Sequence, residues 1–299
     1  MNEAGAAGRG ESVWLSLFAA SVMHRMSALC DDPGCAGTAD ALIKAVEDHG
    51  FDGVHYIRGY LDDGSPYGKT GDGSCEIDVL PQSFAAMLGL DRARVASALD
   101  DVWQKLYDRK SCVFRLLSPP FDGQKNVGYI TSYPPGIREN GGQYTHGAVW
   151  GAAGFFAAGM SSRGFSVLRS LCPANICRTA GGFIKYGREP YALCGDVYDA
   201  PGLEGAGGWS FYTGAAGWYF NTVLTGLLGY REHDGGFEIS PAFCSGFSRF
   251  TLTVKRHGTE YVINAENAVK PATLNGVFTE ADFFVFDGGK HTLDIGVKK

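Results

Sequence analysis

The sequence predicts a mainly α-helical domain followed by a small all-β domain. Between residues 11 and 228, apolar residues recur at helical spacing in several segments that are joined by long, glycine-rich loops. After Arg231 the apolar segments become short and β-rich, with turn residues between them. Paired helices with long loops at one end suggest a helical toroid whose site lies on the loop face. We expect the domains to cover residues 1–232 and 233–299, with the boundary near His233–Gly236.

The first predicted helix covers residues 11–30, and Ser12 can cap it. The second covers 38–49, with Thr38 as N-cap and Gly50 after its end. The other helices are predicted at residues 81–88, 91–107, 144–160, 162–172 and 214–228, the last ended by Gly229. Loop-rich stretches are predicted at 51–76, 111–142 and 173–212, and strands at 237–240, 248–255, 260–265 and 282–287.

Composition narrows the class of protein. The chain of 299 residues is 45% hydrophobic and 19% charged, which is typical of a globular protein. A net charge of -6 without a dense Lys/Arg run argues against nucleic-acid binding. No apolar stretch of membrane length and no signal peptide are expected, which predicts a cytoplasmic protein. The eight cysteines are read as free thiols, and no metal site or cofactor is expected.

The first candidate constellation is residues 133–146, where a Pro-Gly turn leads directly into an apolar helix. It places Arg138, Glu139, Gln143 and His146 at the mouth of that helix. Charged groups next to a core need partners, which a sugar or a phosphate could supply. The equally weighted alternative is a structural turn, with a surface ion pair and a core histidine.

Residues 207–214 form the second constellation, in which Trp209 precedes a helix that begins near Thr213 and Gly214. Thr213 is predicted as the N-cap. Free N–H groups at a helix N-terminus are a ready site for an anion such as phosphate. Taken alone, this segment is better explained as an ordinary helix cap with core aromatics.

Two further loops carry polar groups. Tyr191 and Asp196 lie in the stretch 188–198 and suit the recognition of sugar hydroxyls or, equally, loop packing. Residues 58–64, together with Glu76, could bind a sugar or a cation, but simple turn chemistry is the better interpretation.

Taken together, these segments resemble glycoside hydrolase family 94, the inverting β-glucoside phosphorylases, and in particular the phosphorylase-like region of cyclic β-1,2-glucan synthases. The resemblance rests on Gly-Glu-Ser-Val-Trp at 10–14 and Arg-Gly-Tyr-Leu-Asp-Asp-Gly at 58–64. It also rests on Leu-Leu-Ser-Pro-Pro-Phe at 116–121 and on residues 133–146, 189–198 and 207–214, in the family's order.

The resemblance implies an (α/α)6 barrel with a C-terminal β-sandwich, and phosphorolysis of a β-linked gluco-oligosaccharide by inorganic phosphate to α-glucose 1-phosphate. It implies that His146, Thr213 and Gly214 bind phosphate. Arg138 and Glu139 match residues on the side of the leaving sugar. Gln143, Tyr191, Asp196 and Trp209 are further candidates for substrate contact.

The family's general-acid aspartate and its phosphate-binding arginines match positions before Met1. We therefore expect no catalytic acid within these residues and no activity without the N-terminal part of the same enzyme, the inferred partner. The alternatives are a non-catalytic carbohydrate-binding remnant and a truncated product that folds poorly. A homodimer is possible by resemblance.

Overall fold

The computed structural model describes residues 3–125 and 127–297. Their helices, numbered in chain order, are α1 (Val13–Cys30), α2 (Pro33–His49), α3 (Val79–Leu88), α4 (Arg92–Leu106), α5 (Thr145–Ala157), α6 (Ser161–Leu171), α7 (Pro173–Ile176), α8 (Ala180–Tyr186) and α9 (Thr213–Thr222). A 3-10 turn covers Tyr129–Ser132, and a π-helical turn, Val223–Leu227, follows α9.

The strands described within the first 229 residues are each two residues long, and their pairing connects loop segments by hydrogen bonds. They are β1 (Glu11–Ser12), β2 (Gly59–Tyr60), β3 (Pro66–Tyr67), β4 (Ile77–Asp78), β5 (Tyr107–Asp108), β6 (Val113–Phe114), β7 (Leu117–Ser118), β8 (Gln143–Tyr144) and β9 (Asp196–Val197). The sheet β1-β2-β3 ties the loop 51–76 to the start of α1, and β8 pairs with β9 at the start of α5.

Side-chain caps set where the first helices begin. The Ser12 hydroxyl accepts a hydrogen bond from the N–H of Leu15, as predicted for α1. The predicted start of α2 at Thr38 is wrong, because Asp32 caps the helix and Pro33 occupies its first position. Thr38 lies inside α2, where its hydroxyl donates to the carbonyl of Gly34.

Two later helices differ from the prediction in instructive ways. Thr213 is not an N-cap: the cap position is Tyr212, without a side-chain hydrogen bond, and Thr213 is the first residue of α9. The helix predicted to run to residue 228 changes to the π-helical turn after Thr222. The stretch 173–212, predicted as loop, contains the short helices α7 and α8.

Helices α1, α3, α5 and α9 lie side by side in that order, while α2, α4 and α6 pack on α1, α3 and α5 from outside. Glycines bring α5 close to its neighbours. A Cβ at Gly151 would lie 2.4 Å from the ring of Phe114, and one at Gly154 would lie 3.0 Å from the Cα of Ser83. A mainly helical domain is therefore confirmed, while closure into an (α/α)6 barrel stays a prediction.

The C-terminal part is all β, as predicted. Its strands are β10 (Tyr230–His233), β11 (Gly236–Ile239), β12 (Arg249–Arg256), β13 (Thr259–Val269), β14 (Thr273–Leu274), β15 (Val277–Phe278), β16 (Phe283–Val285) and β17 (Lys290–Val297). They form the sheets β10-β11-β16 and β12-β13-β17-β14-β15 around a core that contains Phe237 and Ile263. The residues at the predicted boundary, His233–Gly236, form the turn of the β10-β11 hairpin. The division of the chain into domains 1–232 and 233–299 stays a proposal.

Helix α1 is long and apolar enough to cross a membrane by length and composition, contrary to the expectation that no such segment exists. That criterion is weak, because core helices pass it too. Leu17 and Ala20 of α1 are completely buried here, whereas Leu29 near its C-terminal end is 80% exposed.

Candidate functional site

A cavity of about 330 Å³ lies at the N-terminal ends of α1, α3 and α5. These ends carry the partial positive charge of the helix dipole. The loops 51–76 and 127–139 complete the wall. The side chains of its wall that matter below are aromatic or ionisable: Trp14, Arg58, Asp78, Tyr129, Glu139, Tyr144, His146 and Trp150.

His146 lies in the first turn of α5 and was expected to contact phosphate. Its ring lies 4.3 Å from that of Trp150 and 6.2 Å from that of Trp218. Burial among these rings lowers the pKa of His146, so the imidazole is neutral at neutral pH. Its Nε2 atom is buried and has no hydrogen-bond partner within the described residues.

The indole N–H groups of Trp14 and Trp150 are buried and lack partners in the described part of the chain as well. Buried donors without partners are rare in folded proteins. Three such ring nitrogens, counting that of His146, belong to side chains that line one cavity. They would suit a ligand rich in oxygen acceptors.

Gly214, in the first turn of α9, lies against the histidine. A Cβ built on Gly214 would be 3.6 Å from both Nδ1 and Cε1 of His146. Thr213 precedes it and is exposed. The first turn of an α-helix leaves N–H groups without intrahelical partners. The structure thus places the N-terminus of α9 beside the imidazole.

Arg138 and Glu139 form a hydrogen-bonded ion pair of 3.2 Å beside the cavity. The Arg138 guanidinium lies 3.9 Å from the ring centroid of Trp209 and 4.9 Å from that of Tyr133. Burial alone would lower the pKa of Arg138, but Glu139 outweighs it and the pKa is raised. Glu139 lines the cavity directly, so this pair presents a fixed carboxylate to it.

Three other candidates lie away from the cavity wall. Gln143 is buried, and its side-chain oxygen accepts a hydrogen bond of 2.9 Å from the N–H of Phe114. Tyr191 is 77% exposed. Asp196 is completely buried, and Gly208 packs so closely on its carboxylate that any Cβ at Gly208 would clash.

The Asp196 carboxylate has an uncommon environment. Burial raises its pKa, although the guanidinium and the backbone N–H of Arg138 oppose the rise. Neither oxygen accepts a well-aligned hydrogen bond among the described residues. Asp196 is not part of the cavity wall, and its charged neighbour beside the cavity is Arg138.

Sequence reasoning missed the ion pair of Arg58 and Asp78, which lines the cavity. Asp78 uses its other oxygen to cap α3 through the N–H of Leu80, at 2.8 Å. Burial raises the pKa of Asp78 against the effect of Arg58. The sequence singled out Arg58 within the stretch 58–64, as a turn or as a sugar or cation site, but gave no sign of a partner at Asp78. Asp78 is the last residue before a helix, the usual position of a cap.

Comparison with known proteins identifies the family. Residues 1–229 match the family model of the catalytic domain of the glycosyl hydrolase 94 superfamily. The chain is 37% identical over 279 residues to the cyclic beta-(1,2)-glucan synthase NdvB of Rhizobium meliloti (strain 1021), an alignment that covers 90% of this chain and 10% of that protein.

Two phosphorylases of Paenibacillus borealis are also similar. Solabiose phosphorylase is 28% identical over 315 residues, covering 99% of this chain and 40% of its own length. The 3-O-beta-D-glucopyranosyl-beta-D-glucuronide phosphorylase is 27% identical over 280 residues, covering 89% and 35%. The chain thus spans less than half the length of each of these relatives.

Proposed function

Because the chain belongs to the glycosyl hydrolase 94 superfamily, we propose that it forms the phosphate-binding side of the active site of a glycoside phosphorylase or glucan synthase. In the proposed reaction, a phosphate oxygen attacks the anomeric carbon of a β-linked glucoside with inversion while the glycosidic C–O bond breaks. The departing sugar takes up a proton at that oxygen, and the product on the other side is α-glucose 1-phosphate. Two relatives that are named phosphorylases support the reaction class.

The proposal rests on three ring nitrogens that have no hydrogen-bond partner among the described residues, on side chains that line the cavity, and on the contact of His146 with the N-terminus of α9. Phosphate needs to be held in line and relieved of its charge before it can act as a nucleophile. Helix N–H groups at Thr213 and Gly214 and the imidazole of His146 supply oriented donors without a competing negative charge.

Glu139 and Arg138 are proposed to hold the leaving sugar. A carboxylate accepts hydrogen bonds from sugar hydroxyls, and the ion pair with the guanidinium of Arg138 holds this carboxylate in place. The stack of Arg138 between Trp209 and Tyr133 fixes this pair before the substrate arrives. Little side-chain entropy would then be lost on binding.

The proton for the leaving oxygen is proposed to come from outside these residues. Both oxygens of Asp78 are engaged, one by Arg58 and one by the N–H of Leu80. Glu139 is paired with Arg138. Each carboxylate of the cavity wall among the described residues is thus held as an acceptor by donors. We therefore propose that activity requires the N-terminal part of the same enzyme, which would supply the acid.

The test is a titration of the chain with phosphate and, separately, with β-linked glucose disaccharides, in which binding is monitored by tryptophan fluorescence. Trp14 and Trp150 line the cavity and should report its occupation. We expect His146→Ala to raise the dissociation constant for phosphate by about tenfold or more, as for the loss of one charge-assisted hydrogen bond. The constant for sugar should change less.

The control is His233→Ala, since His233 lies in the β10-β11 hairpin and its side chain is 50% exposed. Equal losses for phosphate and sugar in His146→Ala would reject the phosphate role. Sugar binding with no phosphate binding in the wild type would favour the alternative, a carbohydrate-binding module without catalysis.

A further inference from the structure

Three large aromatic rings stand exposed beside the cavity. Tyr191 is 77% exposed, Phe211 64% and Trp209 38%. None of them lies in the cavity wall itself. Apolar rings gain by burial, so an exposed cluster next to a site is a common mark of a binding surface.

The backbone holds these rings on one surface. The N–H of Gly195 donates to the carbonyl of Trp209 at 2.7 Å, and the N–H of Tyr212 reaches the carbonyl of Leu193 at 3.4 Å. The loop that carries Tyr191 therefore runs alongside the segment that carries Trp209 and Phe211. The rings of Tyr191 and Phe211 meet edge to face, with centroids 6.4 Å apart.

The same surface continues into the cavity. Trp209 packs on Tyr212 with ring centroids 5.8 Å apart. The hydroxyl of Tyr212 lies 3.2 Å from that of Tyr144, which lines the cavity. The aromatic path thus begins at the cavity wall and ends at Phe211 and Tyr191 on the outside.

Phe211 has a backbone conformation that costs energy. Its φ is +60°, in the left-handed region, where a bulky residue is a genuine outlier. Such strain persists where the surroundings fix it, and it is found most often at functional sites. Burial of the ring does not compensate for the strain, since the ring is mostly exposed. What the conformation achieves is to present the ring to solvent beside Tyr191.

We propose that Trp209, Phe211 and Tyr191 form a platform that binds the glucose units of a β-glucan beyond the leaving sugar. The C–H faces of pyranose rings pack on aromatic faces, and Arg138 and the Tyr191 hydroxyl can serve their hydroxyls. The substrate class is then an oligosaccharide longer than a disaccharide. This inference rests on the proposed function, because it requires the leaving sugar to lie at Glu139.

The experiment measures the affinity of the chain for β-linked gluco-oligosaccharides of increasing length by calorimetry, with the 1,2-linked and the 1,4-linked series run in parallel. In the wild type, affinity should rise with length in one series and then level off. Tyr191→Ala and Phe211→Gly should each lower the affinity for the longer members by about tenfold, as for the loss of an aromatic anchor. Both variants should bind the disaccharide unchanged.

Phe211→Gly also tests folding, because glycine relieves the positive φ and the variant should melt no earlier than the wild type. The matched control is Phe278→Ala, a ring that is 60% exposed on β15 of the C-terminal sheet. It should behave as the wild type with every oligosaccharide.

The outcomes separate the two proposals. Disaccharide binding that does not strengthen with length would overturn the platform and leave the proposed function standing. No saccharide binding at all would remove both. If Tyr191→Ala and Phe211→Gly change self-association in sedimentation but not sugar affinity, the surface docks protein and the platform is wrong.

Discussion

Substitution of Gly214 by alanine separates phosphate binding from stability. The added methyl group would lie 3.6 Å from both Nδ1 and Cε1 of His146, an ordinary contact distance, so the fold accommodates it. Alanine is the better helix former by up to about 1 kcal/mol. For a domain of this size that gain raises the melting temperature by no more than about 2–4 °C.

Phosphate binding responds in the opposite direction. A charge-assisted hydrogen bond needs a donor-to-oxygen distance of about 2.8 Å, which leaves no room for a methyl group between the imidazole and the helix N-terminus. The loss of one such bond costs about 1.5–3 kcal/mol. We therefore expect Gly214→Ala to weaken phosphate binding by about tenfold or more.

The control lies in the same helix. Gly217 has nothing within 4 Å of a Cβ position, so Gly217→Ala should give a similar rise in melting temperature with unchanged phosphate affinity. The assay is a melt of each variant with and without phosphate, combined with calorimetric titration. Phosphate binding by Gly214→Ala at the wild-type affinity would refute the placement of the anion at α9.

Other expectations follow from the charges and surfaces of the site. Arg58→Met should cost about 3–5 kcal/mol in urea unfolding, because it leaves Asp78 buried without its partner, and the double variant with Asp78→Asn should cost less than the sum of both changes. The folded-state pKa of Asp196 is raised, so the protein becomes less stable as the pH rises through that pKa and the buried carboxyl group ionises. The stability of Asp196→Asn relative to the wild type should therefore increase from acid to neutral pH, and a stability difference that stays constant with pH would contradict this. The folded-state pKa of His146 is lowered, so its contribution is lost as pH falls below about 6.5, its unfolded value. Phosphate should raise that pKa, and calorimetry in buffers of different ionisation enthalpy should detect proton uptake. Leu29 of α1 is 80% exposed, and exposed apolar surface favours association, so Leu29→Glu should reduce self-association of the chain in sedimentation. Unchanged sedimentation would show that this face of α1 does not mediate association.

Local signals predicted most of the helices but not all of their ends. Ser12 and Gly50 are a cap and a stop that the sequence shows directly, and the structure uses them. The start of α2 was placed five residues late because Thr38 was chosen over Asp32-Pro33. The spacing of apolar residues gives no signal for the change to a π-helical turn after Thr222.

The sequence identified the two segments that meet at the candidate site, 133–146 and 207–214, but not the contacts between distant residues. His146 and Glu139 reach the cavity, and Gly214 meets His146 across 67 intervening positions. Gln143 instead satisfies the backbone of Phe114, a partner that spacing cannot reveal.

The pairing of Arg58 with Asp78 was missed for the same reason. It depends on how the loop 51–76 folds back over the start of α3, which is set by tertiary contacts. The exposed ring of Phe211 was also missed, because a positive φ at a phenylalanine is not foreseeable from residue type.

The proposed role in phosphorolysis can be tested by incubating inorganic phosphate with β-linked gluco-oligosaccharides and recording phosphorus-31 NMR spectra over time. The chain is combined, by fusion or by mixing, with the remaining part of the enzyme. We expect a resonance of α-glucose 1-phosphate that requires both parts and is lost or strongly reduced with His146→Ala. Its absence in every combination, although both parts are folded and the sugar binds, would contradict a role in phosphorolysis.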